Sequence, residues 1–173
     1  MPIRPALLAA LASFAAASAF AAEASKVTAL GGDSGWEAYE DDAPGGKICY
    51  LIGKPKRTEP ASVKREIVHM SVTHRPADKV ENVVNFVLGY RAKDGGDAAV
   101  DINGKQFVLF TDKDGAWTRD AASDAALVKA LTKAKLITLK ASPAKGANTT
   151  DHYDMTGFAA ALALIDKACA VKR

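Results

Sequence analysis

Two cysteines, Cys49 and Cys169, are the residues of this chain that could form a covalent bond with each other. About 120 residues separate them, and no C-x-x-C spacing is present. In an oxidising compartment such a pair forms a disulfide. Closing a loop of this length lowers the entropy of the unfolded chain by an amount worth about 5 kcal/mol. We therefore predict a structural disulfide. A redox-active pair is the alternative, which the missing C-x-x-C motif disfavours.

The three histidines, His69, His74 and His152, are candidate metal ligands by residue type alone. No H-x-x-x-H or C-x-x-C spacing groups them into a metal-binding motif. His69 and His74 differ by five positions, so on one β-strand their side chains face opposite sides. We interpret all three as surface or loop histidines, and we predict neither a metal nor a cofactor.

The segment Asp151-His152-Tyr153-Asp154 places carboxylates beside a histidine, and these residue types carry out general acid–base catalysis. No G-x-S-x-G nucleophile motif accompanies them. Asp112-x-Asp114-Gly115 begins like a calcium loop but lacks the later glycine and the closing glutamate, so we predict a turn there. We predict no catalytic residues and no enzyme activity. An envelope-polymer hydrolase that uses Asp151, His152 and Asp154 is the alternative.

Five basic side chains lie close together in the sequence and form our candidate partner surface. They are Lys54, Lys56, Arg57, Lys64 and Arg65. Such a cluster can present positive charge to an anionic lipid, a glycan or a host polyanion. Glu59 and Glu66 interrupt the cluster and weaken its field, and a solvated loop is the simpler interpretation.

The first 21 residues have the profile of a secretory signal peptide. Arg4 precedes an apolar run over 6–19, and Ala19-Phe20-Ala21 provides the small-x-small pattern for cleavage. The run is shorter than the roughly 20 residues that cross a bilayer. We predict export to the periplasm or the outside, with no transmembrane segment after cleavage. An uncleaved N-terminal anchor is the alternative.

Removal of residues 1–21 leaves a chain of the usual size for one domain. Arg4 is the one charged side chain lost, so 22 basic and 20 acidic side chains remain. This balance is too close to neutral to favour nucleic acid as a partner. Residues 22–35, rich in Ala, Ser and Gly, show no periodicity and are predicted to form a flexible tether. Residues 36–173 are predicted to form a single domain.

Short segments with the alternation of β-strands recur every dozen or so residues from Trp36 onward. The predicted strands are 36–39, 48–52, 67–73, 83–90, 100–102, 105–110, 116–118 and 135–140. Asn103-Gly104 accepts the positive φ angles of a type I′ turn and predicts a hairpin. This rhythm predicts a mainly β fold, an antiparallel β-sandwich.

Two segments break the β rhythm and are predicted to be helical. The first is a short helix over 123–135 with Ser123 as its N-cap. The second runs from about Thr156 to Ala170, with Cys169 on its apolar face. Cys169 would then point at the core and could reach Cys49 on an early strand, tying the C-terminal helix to the sheet.

An ordered set of motifs extends over nearly the whole mature chain. The motifs are Cys49-Tyr50-Leu51-Ile52-Gly53-Lys54-Pro55, Val72-Thr73-His74-Arg75-Pro76, Gly89-Tyr90, the block from Phe107 to Trp117, and Thr156-Gly157-Phe158 with the helix ending in Cys169. Together they resemble the invasion-associated locus B family. The resemblance implies an exported bacterial envelope protein with an immunoglobulin-like β-sandwich and a Cys49–Cys169 pairing. It implies no established enzyme activity and supplies no catalytic residues, and fold alone does not transfer the invasion phenotype.

From these patterns we expect a non-catalytic binding or interaction module, associated with the cell envelope or with host-cell invasion. Its loops 54–65 and 92–97 would contact an envelope or host protein, a glycan or an anionic surface, none of which the sequence identifies. The alternatives are the envelope-polymer hydrolase and an envelope-stabilising, chaperone-like factor.

Overall fold

The computed structural model describes residues 25–173. The predicted signal peptide over 1–21 and the first residues of the predicted tether lie outside this range. The strands are β1 Lys26–Asp33, β2 Trp36–Ala43, β3 Gly46–Gly53, β4 Arg57–Glu59, β5 His69–Arg75, β6 Val80–Val87, β7 Asp97–Ile102, β8 Lys105–Asp112, β9 Gly115–Trp117, β10 Leu136–Ala141 and β11 Thr149–Asp154. The helices are α1 Ala121–Leu131 and α2 Phe158–Ala168, and Pro76–Asp78 forms a single 3₁₀ turn.

The eleven strands of the described range form one hydrogen-bonded sheet. Their order is β1-β2-β3-β5-β6-β9-β8-β7-β10-β11-β4. All of the strand pairings are antiparallel. The predicted mainly β class with antiparallel strands is thereby confirmed.

The sheet bends so that its two halves face each other in a sandwich-like arrangement. Trp36 of β2 lies near one edge of the strand order and Tyr153 of β11 near the other, yet their ring centroids are 6.5 Å apart. The Trp36 indole Nε1 donates a hydrogen bond to the carbonyl oxygen of Asp154 at 2.9 Å. Phe86 of β6 also contacts Tyr153, with ring centroids 5.9 Å apart. The apolar core lies between the two halves.

Alternation along the strands decides which side chains enter this core. Met70 and Val72 of β5, with Val84 and Phe86 of β6, are fully buried, and the residues between them are only partly buried. Burial in β5 and β6 therefore follows the period of two from which both strands were predicted. The predicted hairpin is confirmed as well, because Asn103 and Gly104 have φ angles of 54° and 82° between β7 and β8.

Strand β1 corrects the flexible tether that was predicted over 22–35. Residues 26–33 pair with β2 along the length of the strand. Their side chains are exposed except for partly buried Leu30, so no apolar alternation marks the strand in the sequence. The pairing instead uses backbone hydrogen bonds, with an irregularity between Ala29 and Gly31. Regular structure therefore begins before Trp36.

Both predicted helices are present, but each begins at a different residue from the one predicted. Helix α1 is capped by Asp120, whose carboxylate accepts a hydrogen bond from the backbone N–H of Ser123 at 2.7 Å. Helix α2 begins after Gly157, which has a φ of 87°. A Cβ at position 157 would come within 2.4 Å of the carbonyl oxygen of Asp33, so only glycine fits there.

A disulfide between Cys49 and Cys169 joins β3 to the end of α2, and their Cα atoms are 6.0 Å apart. Both cysteines are buried. The apolar side of α2, which includes Phe158, Leu162 and Ile165, packs into the core. The helix contacts β1 and β2 as well as β3. The predicted tie between the C-terminal helix and the sheet is confirmed.

His74 is fully buried, which corrects its assignment to the surface or a loop. It occupies an inward position of β5, so His69 and His74 do face opposite sides of the strand. Its Nδ1 accepts a hydrogen bond from the N–H of Asn82 at 3.0 Å, which leaves the proton on Nε2 to be donated to Asp166, also at 3.0 Å. Arg173 donates to the same carboxylate at 2.8 Å. Burial lowers the pKa of His74 below its ordinary value, so the ring is neutral at neutral pH.

Removing the disulfide will destabilise the domain. Relative to the oxidised chain, the double variant Cys49→Ala/Cys169→Ala is expected to lose about 2–5 kcal/mol of unfolding free energy, because its unfolded state regains the entropy of a 120-residue loop. Urea titrations followed by circular dichroism measure this loss. Dithiothreitol treatment of the unmodified chain is the control and should give a similar shift. An unchanged unfolding midpoint in both samples would contradict the structural role.

His74 makes the stability depend on pH. The pKa of His74 is lower in the folded state than the ordinary 6.5, so below about pH 6.5 the unfolded chain binds more protons. The unfolding free energy is therefore expected to fall as the pH drops from 7.5 to 5.0. His74→Gln keeps a donor toward Asp166 and should flatten this dependence.

The matched control for this titration is His69→Gln. Partial burial lowers the pKa of His69 as well, but His69 is the less buried ring and should account for the smaller share of the slope. Chemical unfolding at several pH values separates the two contributions. A His74→Gln variant with the same pH slope as the unmodified chain would refute the assignment.

Candidate functional site

Arg65 lies inside the protein, which corrects its place in the candidate partner surface. The Arg65 guanidinium forms a two-pronged ion pair with the Asp151 carboxylate, in which Nη2 donates to Oδ2 at 2.8 Å and Nη1 donates to Oδ1. The two side chains are 7% and 1% exposed. Arg65 Nε also donates to the carbonyl oxygen of Leu88 at 2.7 Å, and the guanidinium lies 5.1 Å from the centre of the Tyr90 ring. A buried cation needs such partners, because burial without them is very costly.

The three acid–base candidates do not meet in one site. Asp151 and His152 are consecutive residues of β11, so Asp151 points into the core and His152 points outward. The outward ring contacts Arg57 Nη2 at 3.2 Å and Glu59 Oε2 at 3.6 Å. Asp154 accepts a hydrogen bond from the N–H of Thr156 at 2.9 Å. The Thr156 side chain and then this N–H hold the pKa of Asp154 below its ordinary value. Within residues 25–173, no three His, Cys, Asp or Glu side chains are close enough to hold a metal ion.

Lys54 and Lys56, two other members of the predicted partner surface, line a groove of about 570 Å³ on the outer side of the sheet. We call it the tyrosine groove. Its lining residues are Gly35, Glu37, Tyr39, Tyr50, Ile52, Gly53, Lys54, Pro55 and Lys56. A second depression, of about 420 Å³, continues from it over the β1–β2 turn. Arg57 instead forms an ion pair with Glu59 at 2.6 Å, and Lys64 is exposed outside the groove.

The central feature of the groove is a stacked pair of aromatic rings. Tyr39 of β2 lies directly opposite Tyr50 of β3, with ring centroids 5.3 Å apart and planes 22° from parallel. Both residues alternate with buried neighbours such as Ala38 and Cys49, so their rings face away from the core. The Tyr39 hydroxyl donates a hydrogen bond to Glu37 Oε2 at 2.7 Å.

The tyrosine hydroxyls are neutral groups that can donate hydrogen bonds. The contact with Glu37 raises the pKa of Tyr39 above its ordinary value. Partial burial, with a smaller contribution from the Asp41 charge, raises the pKa of Tyr50. At neutral pH both side chains are therefore uncharged and offer a ring to a ligand; the Tyr50 O–H can donate to it, while the Tyr39 O–H is already donated to Glu37.

The backbone around the groove is held in place by the core beneath it. A Cβ at Gly53 would come within 2.5 Å of the Trp36 ring, so glycine is required where β3 passes over the indole. The backbone N–H of Lys56 donates to the carbonyl oxygen of His152 at 2.8 Å, which fixes the segment that carries both lysines. A ligand would meet a preformed site, which lowers the entropic cost of binding.

The two lysines supply positive charge to the groove, and the charge of Lys56 also contributes to lowering the pKa of Asp154. In the described part of the chain, neither Lys54 nor Lys56 has a carboxylate oxygen within 4.0 Å of its ammonium group. The charge of Lys54 also acts on His69, which lies on the same outer face. Burial is the main cause of the lowered pKa of His69, and the positive charge of Lys54 lowers it further. The groove therefore combines aromatic faces, the Tyr50 hydroxyl and two lysines without salt-bridge partners.

The tyrosines were absent from the candidate residues drawn from the sequence. The signal that could have found them is the alternation itself, which places Tyr39 and Tyr50 on the face opposite Trp36, Cys49 and Leu51. Their adjacency depends on the register of β2 against β3, and no sequence pattern reports that register.

The chain matches the model of a known protein family. The family model described as Invasion associated locus B (IalB) protein matches residues 36–166. The matched range begins at the first residue of β2 and contains the whole tyrosine groove except Gly35. No curated protein and no solved structure is significantly similar to the chain.

Arg65 and Arg57 provide a matched test of which basic residues support the fold. Arg65→Ala is expected to cost about 3–5 kcal/mol of unfolding free energy, because it leaves the Asp151 carboxylate buried and unpaired. Arg57→Ala removes an exposed ion pair and should cost less than about 1 kcal/mol. Urea unfolding of the two variants measures both values. Equal losses would contradict the structural role given to Arg65.

Proposed function

Because the chain belongs to the invasion-associated locus B (IalB) family, we propose that it is an exported protein of the bacterial cell envelope that acts as a non-catalytic binding module. The tyrosine groove is the surface that contacts its partner. The partner is a component of the envelope or of a host surface.

Export is supported by two features of the chain. Residues 1–21 have the charged start, apolar run and small-residue cleavage pattern of a secretory signal. The Cys49–Cys169 bond is of the kind that persists in oxidising compartments outside the cytoplasm. Neither helix in residues 25–173 is long and apolar enough to cross a membrane.

Binding is supported by the composition and rigidity of the groove, and the stacked tyrosine pair is the observation that carries the proposal. Half-exposed tyrosines on a fixed backbone are typical of recognition surfaces, since they offer large contact area at low entropic cost. Lys54 and Lys56 add charges that are free to meet a partner. Neither the tyrosines nor the lysines of the groove are needed to fill the core.

A non-catalytic role is supported by the way the acid–base candidates are used. Asp151 neutralises buried Arg65, and Asp154 accepts the N–H of Thr156 ahead of α2. His152 contacts Arg57 and Glu59 on the outer face and has neither aspartate as its partner. These side chains have structural duties in separate places, so the hydrolase alternative has no assembled site to support it.

The proposal predicts that the groove is required to capture a partner. The full chain with a C-terminal tag, expressed in a Gram-negative host, should be recovered outside the cytoplasm with a mass that lacks residues 1–21. Cross-linking in envelope extract should then yield a specific product. Tyr39→Ser/Tyr50→Ser should remove that product, because it deletes both aromatic faces.

The matched control is Lys133→Ala/Lys140→Ala, which changes two exposed lysines outside the groove and should leave the product intact. Thermal melts verify that each variant is folded. If the cross-linked product still forms with the tyrosine variant, the partner binds at a surface other than the tyrosine groove. A chain that stays in the cytoplasm would refute export.

A further inference from the structure

We propose that the tyrosine groove binds an acidic glycan, an oligosaccharide chain whose sugars carry negatively charged groups. This inference rests on the proposed function and specifies the partner class of the same surface. It follows from the stacked tyrosine pair, which we call the aromatic platform, from the lysines without salt bridges, and from the extension of the outer face beyond the groove.

The aromatic platform suits a sugar ring. A sugar presents an apolar C–H face and a rim of hydroxyl groups, and a half-exposed aromatic ring can cover the first while polar groups bind the second. The rings of Tyr39 and Tyr50 are stacked with nearly parallel planes, so each covers one face of the other and leaves its second face for a ligand. The residues opposite Tyr50 and Ile52 on β5 are Thr73 and Ser71, whose small side chains leave that side of the platform open.

The charges around the platform suit an acidic sugar. Lys54 and Lys56 carry compact ammonium groups, each with three N–H donors for a carboxylate or phosphate oxygen. Glu37 already accepts a hydrogen bond from Tyr39, and a carboxylate has capacity to accept another from a sugar hydroxyl. The groove can therefore satisfy both the charges and the hydroxyls of such a ligand.

The outer face continues away from the groove to a second aromatic pair. Successive strand pairings place Ile52, Ser71, Asn85, Trp117 and Phe110 in one row across β3, β5, β6, β9 and β8. Trp117 and Phe110 have ring centroids 5.9 Å apart and planes 29° from parallel. Three strand spacings separate β3 from β9, which is about 14 Å. Two platforms at this distance suit a chain of several sugars that runs across the strands.

A peptide that adds as a strand does not suit this surface. Strands β2 and β3 are interior strands, each paired on both sides, so their backbone groups are already used. A ligand in the groove must bind through side chains. The chemistry of those side chains is aromatic and cationic, which favours a ligand with flat apolar faces and negative charge.

The test is isothermal titration of the oxidised mature chain with four probes of similar length. They are a hexasaccharide of alginate, which is acidic; chitohexaose, which is neutral; hexaglutamate; and hexathymidylate. We expect the alginate hexasaccharide to bind at least about tenfold more tightly than each of the others. Its affinity should fall as NaCl rises, because screening weakens the lysine contacts. Binding should also change the fluorescence of half-exposed Trp117.

Variants locate the binding site. Tyr39→Ala/Tyr50→Ala and Lys54→Ala/Lys56→Ala should each weaken alginate binding about tenfold or more. Tyr39→Phe/Tyr50→Phe keeps the ring faces and should bind within about threefold of the unmodified chain, while Lys133→Ala/Lys140→Ala should bind equally well. The lysine variants change exposed side chains, so they decide the question even if the tyrosine variant does not fold.

Several results would overturn the inference. Equal affinity for chitohexaose would remove the acidic requirement, and tighter binding of hexaglutamate or hexathymidylate would reassign the surface to a protein or a nucleic acid. An absence of alginate binding would also overturn it. If groove variants still abolish partner capture from envelope extract, the proposed binding function stands and only the glycan class fails.

Discussion

The indole of Trp36 is where the two halves of the sheet and the terminal helix meet. It is 2% exposed, lies edge-on to Phe158 of α2 with ring centroids 5.0 Å apart, and donates to the carbonyl oxygen of Asp154 at the end of β11. Gly53 lacks a side chain where β3 crosses the ring, so the strand can approach it closely. One side chain of β2 thus sets the distance between layers that are remote in sequence. A smaller residue at position 36 would leave a cavity at the junction, and this cost is large in close-packed interiors.

The disulfide acts on the same helix by a different physical route. Trp36 and Phe158 stabilise the folded state by burial, while the Cys49–Cys169 bond raises the free energy of the unfolded chain. The His74–Asp166 contact adds a polar tie between β5 and α2. Helix α2 therefore stays over the inner side of the sheet and covers it. Within residues 25–173, neither helix covers the outer face of β2, β3 and β5, where the tyrosine groove lies.

How much of the fold could be predicted depends on which interactions produce a recognisable pattern in the amino-acid sequence. Alternation predicted β5, β6 and the hairpin at Asn103, because half-buried strands must place apolar side chains on one face. It could not predict β1, whose exposed strand is held by backbone pairing. The cluster of basic residues led to Arg65 being predicted on the surface, since basic residues are seldom buried. Asp151, the partner that permits its burial, lies 86 residues away in the sequence. Contacts of this range depend on topology, which local patterns do not report.

The difference between local and long-range contacts also explains why the sequence predicted only the lysines of the candidate site and not its tyrosines. Lys54 and Lys56 are neighbours in the chain, so a composition argument finds them. Tyr39 and Tyr50 meet only through strand register, and Trp117 joins their face through three further pairings. In a sheet that buries one face, every second side chain points toward solvent. Side chains in these positions do not have to be aromatic for the sheet to form. A cross-strand tyrosine pair also stabilises the sheet, so it is the combination of this pair with lysines that lack salt bridges on which the proposal of a binding surface rests.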